Sequence, residues 1–392
     1  MTSRLRPPPV WLLVAATATG PLALNLFVPS MPGLVAVFGA ERATVQLTLS
    51  LYLIGVAVGQ LVYGPLSDRF GRRPVLLAGL GLYLAASVAC AAAPGIGTLI
   101  AGRVAQAVGG CAGMVIVRAI VRDAWDRDQA TRVLAAVIAG MAVAPMVGPA
   151  MGGLLDEWAG WRAGLVLIAG FGALVLAVAV KALPETHHDR TPMPGPGAMA
   201  LAYARLLRRR AFLGNTLVTA LNSAGFFAFL AGAPYATIGV LGRTPSEYGL
   251  LFGLLSVGYI AGNMAVSRLA GRVAADRLMM AGLCLSALGP LMVLGMMLDG
   301  LFTVWSLFLP ATLMSLGNGL VMPVSIAAAV SAEPRLAGTA SGLLGFLQMG
   351  MGAMVSVAVG ALKAWEPATM VVSMVLLNLA AFAAFAYARR GT

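Results

Sequence analysis

Read as a pattern of apolar and polar positions, the chain resolves into twelve long apolar runs separated by short polar connections. The runs fall near 9–31, 44–65, 75–93, 96–118, 131–155, 161–182, 211–236, 247–267, 276–298, 301–330, 336–362 and 366–388. A helix needs roughly 20 apolar residues to cross a hydrocarbon layer of about 30 Å, and each run is long enough. Barrel strands are shorter and alternate in polarity, so continuous apolarity predicts helices. The pattern predicts an all-α membrane protein with twelve transmembrane helices.

The longest connection, 183–210, carries Pro184, Pro192, Pro194, Pro196 and the basic run Arg208-Arg209-Arg210. It reads as a linker between two six-helix halves, 1–182 and 211–392. "SDRFGRR" at 67–73 follows span 2 and "SRLAGRV" at 267–273 follows span 8. At an offset of 200, Ser67/Ser267, Gly71/Gly271 and Arg72/Arg272 coincide. Two related six-helix halves enclosing a midplane solute site are a known transporter architecture.

Charge sharpens this picture. The chain is 60% hydrophobic and 10% charged, against roughly 25% charged in soluble domains. Its net charge of +12 lies in short connections, where Lys and Arg orient helices; nucleic-acid binding is not expected. Of 26 cations, Arg42, Arg162, Arg243 and Lys363 fall on one side and Arg103 inside a span. The remaining twenty-one share the other side, which places both termini in the cytoplasm. The first run has no cleavage site and reads as a retained span. Cys90, Cys111 and Cys284 sit in apolar runs without pairable spacing and read as small buried residues. His187 and His188 are adjacent in the linker, and no metal site is expected. No phosphate-binding G-x-x-x-x-G-K-[ST] loop or catalytic triad occurs, so neither a cofactor nor enzyme activity is expected.

Candidate chemistry concentrates at "GQLVYGPLSDRFGRRPVL", 59–76. Gly64 and Pro65 are expected to close a helix, Gly71 to allow a tight turn, and Pro74 to start the next helix. Asp68, among Arg69, Arg72 and Arg73 in a loop of about nine residues, can pair with an arginine or accept bonds at a helix N-terminus. Arg103 is the one ionisable group well inside a span. It should face a wet cavity or polar partner, or else be held by carbonyls or snorkel outward. Candidates for a cavity lining are Asn25, Tyr52, Gln60, Asn222, Phe226, Tyr259, Asn263, Asn318 and Gln348, and 21 Met add adaptable surface. All fourteen carboxylates fall in connections or at helix ends. A titrating proton carrier would therefore be a boundary acid such as Asp68, Asp299 or Glu41. The fixed charge of Arg103 favours neutral or weakly polar amphipathic cargo over strongly cationic cargo.

The 59–76 segment resembles the signature loop of the major facilitator superfamily, G-x-L-[SA]-D-R-x-G-R-[RK]-P. That resemblance implies that Asp68 and Arg72, set among Gly64, Arg69, Gly71 and Arg73, help latch the halves on the cytoplasmic side. "RVAQAVGG" at 103–110 resembles the span-4 motif R-x-x-Q-G-x-G of proton-coupled members, departing at Ala107, and implicates Arg103 and Gln106. "GMAVAPMVGPAMGGLL" at 140–155 resembles the span-5 antiporter motif through Gly148, Pro149, Gly152 and Gly153, with Pro145 as a second bend. "VRAIVRD", "GWR", "LPET" and "AGTASGLLGFLQ" resemble pieces of the bicyclomycin/chloramphenicol-resistance (Bcr/CflA) branch. There, span 1 commonly has an acidic residue where "LNLFVPSMP" has Asn25. The resemblance implies a monomeric secondary active transporter in lipid that exports small amphipathic molecules by alternating access, with protons as the counter-ion. Uptake or uncoupled facilitation by the same fold is the alternative. An Ala-rich, Arg-over-Lys composition suggests a bacterium with a G+C-rich genome, hence an inner-membrane location.

Overall fold

The computed structural model describes residues 7–187, 195–333, 336–361 and 367–389. Within the expected linker, His188, Asp189, Arg190, Pro192 and Pro194 lie outside the described residues, as do the cations Arg4, Arg6, Arg335, Lys363 and Arg390.

The first span is α1 (Val10–Phe27), which passes through a 3₁₀ turn at Val28–Ser30 into α2 (Met31–Phe38). Spans two to six are α3 (Arg42–Phe70), α4 (Arg72–Ala91), α5 (Ile96–Ala124), α6 (Arg127–Ala159) and α7 (Trp161–Ala182). A short helix, α8 (Pro196–Arg208), belongs to the linker. Spans seven to twelve are α9 (Arg210–Pro234, extended by a π turn to Val240), α10 (Pro245–Leu269), α11 (Ala275–Leu298), α12 (Val304–Ser331), α13 (Ala337–Ala361) and α14 (Pro367–Arg389). Among the described residues, twelve spans are long and apolar enough to cross a bilayer. The end of the bundle that bears α8 is called here the linker face, and the other end the opposite face.

The helices outrun their apolar cores. α3 does not close at Gly64 and Pro65 but continues through Pro65 to Phe70. Proline deletes one backbone bond, and a packed membrane helix tolerates that loss. The expected nine-residue loop shrinks to Gly71, with φ 100, a conformation only glycine adopts without strain. Pro74 falls in the first turn of α4, where its missing N–H costs nothing. Arg118, Arg122 and Asp123, expected in a connection, extend α5. Asp156 and Glu157 likewise end α6.

Both halves share a helix-packing register set by glycine. A Cβ on Gly109 of α5 would strike α4 at Gly79 O and Tyr83 N; one on Gly317 of α12 would strike α11 at Gly282 O and Ser286 N. Gly55 and Gly59 of α3 meet α5, and Gly258 and Gly262 of α10 meet α12. These pairs place spans two and three at an offset of 203 and span four at 208. The offset of 200 read from the two loop motifs is thus corrected. α10 ends at Leu269, before the position matching Phe70, so the C-terminal motif lies in a longer turn. Arg72 matches Ala275, not Arg272.

The halves meet mainly along two helix pairs, α3 with α13 and α6 with α10, with smaller contacts from the 3₁₀ turn and α2 to α9, its π turn and α10.

Candidate functional site

At the linker face, the N-terminal half is pinned by one guanidinium. Arg72 is 6% exposed. Its Nη1 donates to Asp68 and, at 2.7 Å, to Ser67 Oγ, while Nε donates to Asp123 Oδ2 at 2.9 Å. Glu185, in the "LPET" segment beyond α7, caps the start of α4 by accepting Arg72 N–H at 3.0 Å and Arg73 N–H at 3.2 Å. Burial pulls the Glu185 carboxyl up, but the N–H groups of His187, Arg72, Arg73 and Thr186 outweigh it and hold the carboxyl below the usual carboxylate range. A Cβ on Gly71 would collide with this carboxylate, so the glycine is required by contact as well as by φ. Arg73 reaches Val180 O on α7 at 2.8 Å. Arg69 lies against the Phe70 ring at 5.1 Å, and nothing crowds Gly64. Asp123 and Glu185 were not singled out as site residues; their signals were the "VRAIVRD" and "LPET" segments.

Midway through the N-terminal half, Arg103 is fully buried and does not snorkel. Its Nη1 donates to Ala23 O at 3.0 Å and to Gln106 Oε1 at 2.6 Å. The guanidinium is held between the rings of Phe27 and Tyr52, at 4.4 and 4.2 Å, a desolvated cation–π arrangement worth about 2 kcal/mol. Gln106 passes the network to Ser87 Oγ at 2.8 Å, and Ser87 to Tyr83 O at 2.6 Å. Nε and Nη2 of Arg103 find no acceptor among the described residues. Among the described residues this guanidinium has no carboxylate partner, and such a charge is expensive to bury.

Several expected lining residues instead belong to the interior of their own half. Tyr52 donates to Gly20 O at 2.8 Å, Asn25 to Pro21 O at 2.8 Å, and Asn222 to Asn378 Oδ1 at 3.4 Å. Asn318 accepts from Ser286 at 3.0 Å. Tyr52, Asn222 and Asn318 bond neighbouring helices within a half, as amides and hydroxyls do in lipid, while the Asn25 bond stays within α1. Phe226, Tyr259, Asn263, Gln348 and Gln60 remain partly exposed. Gln348 bonds Ser223 at 2.9 Å, Asn263 bonds Tyr259 O at 2.9 Å, and Gln60 lies against Gly345 of α13. Phe226 joins an aromatic cluster, unforeseen from sequence, in which Phe252, Phe229, Tyr248 and Phe308 follow at ring separations of 5.7 to 6.3 Å.

Toward the opposite face the two halves are sealed. Gln46 and Ser50 of α3 donate to Ser356 of α13 at 2.7 and 2.9 Å. Gly153 of α6 lies on Pro245 O, and Gly249 of α10 lies reciprocally on Pro149 O. Ser256 donates to Pro145 O at 3.3 Å. The expected span-5 motif thus divides its work: Gly148 and Gly152 admit α1 at Asn25 and Leu26, and Gly153 admits the other half. From Pro145 toward the linker face, most described residues of α6 are exposed or half-buried.

Two lobes of six helices, sealed against each other at one end, define a polytopic carrier. A family model described as the Major Facilitator Superfamily matches residues 13–242. The chain belongs to the major facilitator superfamily. It is 30% identical to Multidrug resistance protein D of Escherichia coli (strain K12), covering 88% of this chain and 86% of that one. It is 26% identical to the Bicyclomycin resistance protein homolog of Haemophilus influenzae, covering 90% and 89%. A crystal structure of a D-xylose-proton symporter superposes with a TM-score of 0.72 at 15% identity, covering 95% of this chain and 97% of that one. The twelve-helix architecture and the resemblance to drug-resistance transporters expected from sequence therefore hold.

Proposed function

We propose that this protein is a secondary active exporter of neutral or weakly polar amphipathic molecules, drugs among them, working by alternating access and driven by protons that return down their gradient. The single observation that carries alternating access is the sealed α6–α10 and α3–α13 contact toward one face, with most described residues of α6 exposed or half-buried toward the other. Relatives named for multidrug and bicyclomycin resistance support export of drugs. The excess of cations on the linker face supports a cytoplasmic linker and termini in a bacterial inner membrane, with the cargo site open to the cytoplasm. Asp68 and Arg72 serve as the latch of the linker face, and Arg103 with Gln106 serves cargo binding or coupling. Phe226, Tyr259 and Gln348 face the cargo path. The carrier works as a monomer in lipid.

Uptake or facilitation by the same fold remains the second reading, because Asn25 stands where related exporters place an acid and cannot titrate. Drug accumulation in cells with and without the protein, before and after collapse of the proton gradient, separates the two. Export predicts lower accumulation that rises on collapse. Faster entry that ignores the gradient overturns it.

A further inference from the structure

The first turn of α10 has four backbone positions to satisfy at the seal. Pro245 has no N–H. Thr244 and Glu247 form a reciprocal capping box, with Glu247 N–H on Thr244 Oγ1 at 3.2 Å and Thr244 N–H on Glu247 Oε2 at 2.9 Å. Tyr248 N–H bonds Thr244 O at 3.1 Å. Ser246 N–H is left over within its own half. It donates to Glu157 Oε1, at 2.8 Å, from the last turn of α6 in the other half. Directly beneath, Gly153 touches Pro245 O and Gly249 touches Pro149 O. The carboxylate therefore closes the interface exactly one turn above the reciprocal glycine contact, where the backbones are closest.

From this geometry we infer that Glu157 is a gating residue for transport: ionised, it holds α6 to α10 at the opposite face, and protonation there releases them. An ionised carboxylate accepts a stronger bond from an N–H than a neutral carboxyl does, and it favours the positive end of a helix. The proton comes from water at the opposite face and settles on the Glu157 carboxyl; the bonds that break are the hydrogen bonds it accepts from Ser246 and Thr244. The surrounding charges are accounted for. Asp156, next in sequence, is bonded to the Ser30 hydroxyl of the 3₁₀ turn between α1 and α2. On α10, Glu247 is tied into its cap and pairs with Arg243 at 3.6 Å. On α7, Arg162 is engaged by the Ala91 and Ala93 carbonyls at 3.2 Å. Neither α1 nor α2 contributes a titratable side chain. The nearest group on α5, Arg103, is engaged with Ala23 and Gln106.

This inference rests on the alternating-access reading, and its test separates the two. Spin labels go at Val37 and Leu301, both exposed at the opposite face in different halves, with exposed Cys284 replaced by Ser. The full chain in lipid vesicles is titrated from about pH 8 to about pH 3, through and below the ordinary carboxyl range, because hydrogen bonds to the ionised form favour it. The wild type should shift toward the longer separation as pH falls. Glu157→Gln should show the long separation at every pH, and Glu157→Asp should restore the pH response. The pH optimum of transport should flatten in Glu157→Gln while remaining in Glu157→Asp, a change that a purely structural contact would not make. A wild-type separation that changes with added cargo but not with pH overturns the role of Glu157 and leaves alternating access standing. An unchanged pH response in Glu157→Gln also overturns it. A separation that responds to nothing overturns the alternating-access reading itself.

Discussion

The two halves pack their helices alike and spend polarity differently. Gly109 and Gly317 let α5 and α12 approach their neighbours at matching backbone positions. At the same register, buried Arg103 and Gln106 of the N-terminal half correspond to Ala311 and Met314 in the C-terminal half, both buried. At the linker face, Asp68, Arg72 and Asp123 correspond to Gly271, Ala275 and Ser331. The first set makes an ion cluster in which Arg72 is buried while Asp68 and Asp123 keep contact with water. The second lines a cavity of about 770 Å³, with Asp276 and Arg389 paired at 3.2 Å on its rim. A repeat can thus hold its backbone contacts, which depend on small residues, while one copy alone carries the charged chemistry. Packing needs only close approach; a buried charge needs a set of partners that all have to be present together.

This contrast can be broken in steps. Gly109→Leu and Gly317→Leu should be equally severe, each costing more than about 3 kcal/mol because a side chain meets backbone. Size-exclusion profiles in detergent should show both losing the monodisperse species; a tolerated Gly317→Leu would end the idea of a shared register. Arg72→Met should cost about 1 to 2 kcal/mol, since Asp68 and Asp123 lose their partner but keep contact with water, whereas Arg272→Met, exposed in its turn, should stay within about 0.5 kcal/mol. Thermal unfolding of the purified protein measures both. Arg103→Met should leave stability within about 1 kcal/mol or raise it, since removing an unpaired buried charge can stabilise, yet transport should vanish. Loss of folding together with transport would make Arg103 structural instead.

The smallest effect concerns acid. Glu185 is held below the ordinary carboxylate range, so its contribution is complete above the unfolded value of about 4.3 and is lost as pH falls through the lower folded one. The difference in unfolding temperature between the wild type and Glu185→Gln should stay flat at neutral pH and shrink only below about pH 4. A difference that disappears by neutral pH would mean that the cap does not hold.

Much of the site could be read in advance where chemistry is local. Asp68 and Arg72 are four residues apart at a helix end and pair as their spacing suggests. Arg103 stood out because one charge interrupted an apolar run. Partners contributed from afar could not be read: Asp123 and Glu185 reach Arg72 across 51 and 113 residues. The candidate lining was overdrawn for a related reason. A polar residue on an apolar helix can face a cavity or a neighbouring helix, and Tyr52, Asn222 and Asn318 face neighbours.

Hydrophobic run length and the placement of Arg and Lys determined from sequence alone that twelve helices cross the bilayer as two halves, because lipid accepts no other way of satisfying that much backbone. The family signature lay in adjacent residues as well. Only tertiary structure decided the register of the halves at 203 and 208, the sandwich around Arg103 and the carboxylate of Glu157 on the far helix. Each depends on which faces of distant helices meet, and that is settled by close packing in three dimensions, not by the order of residues along one helix.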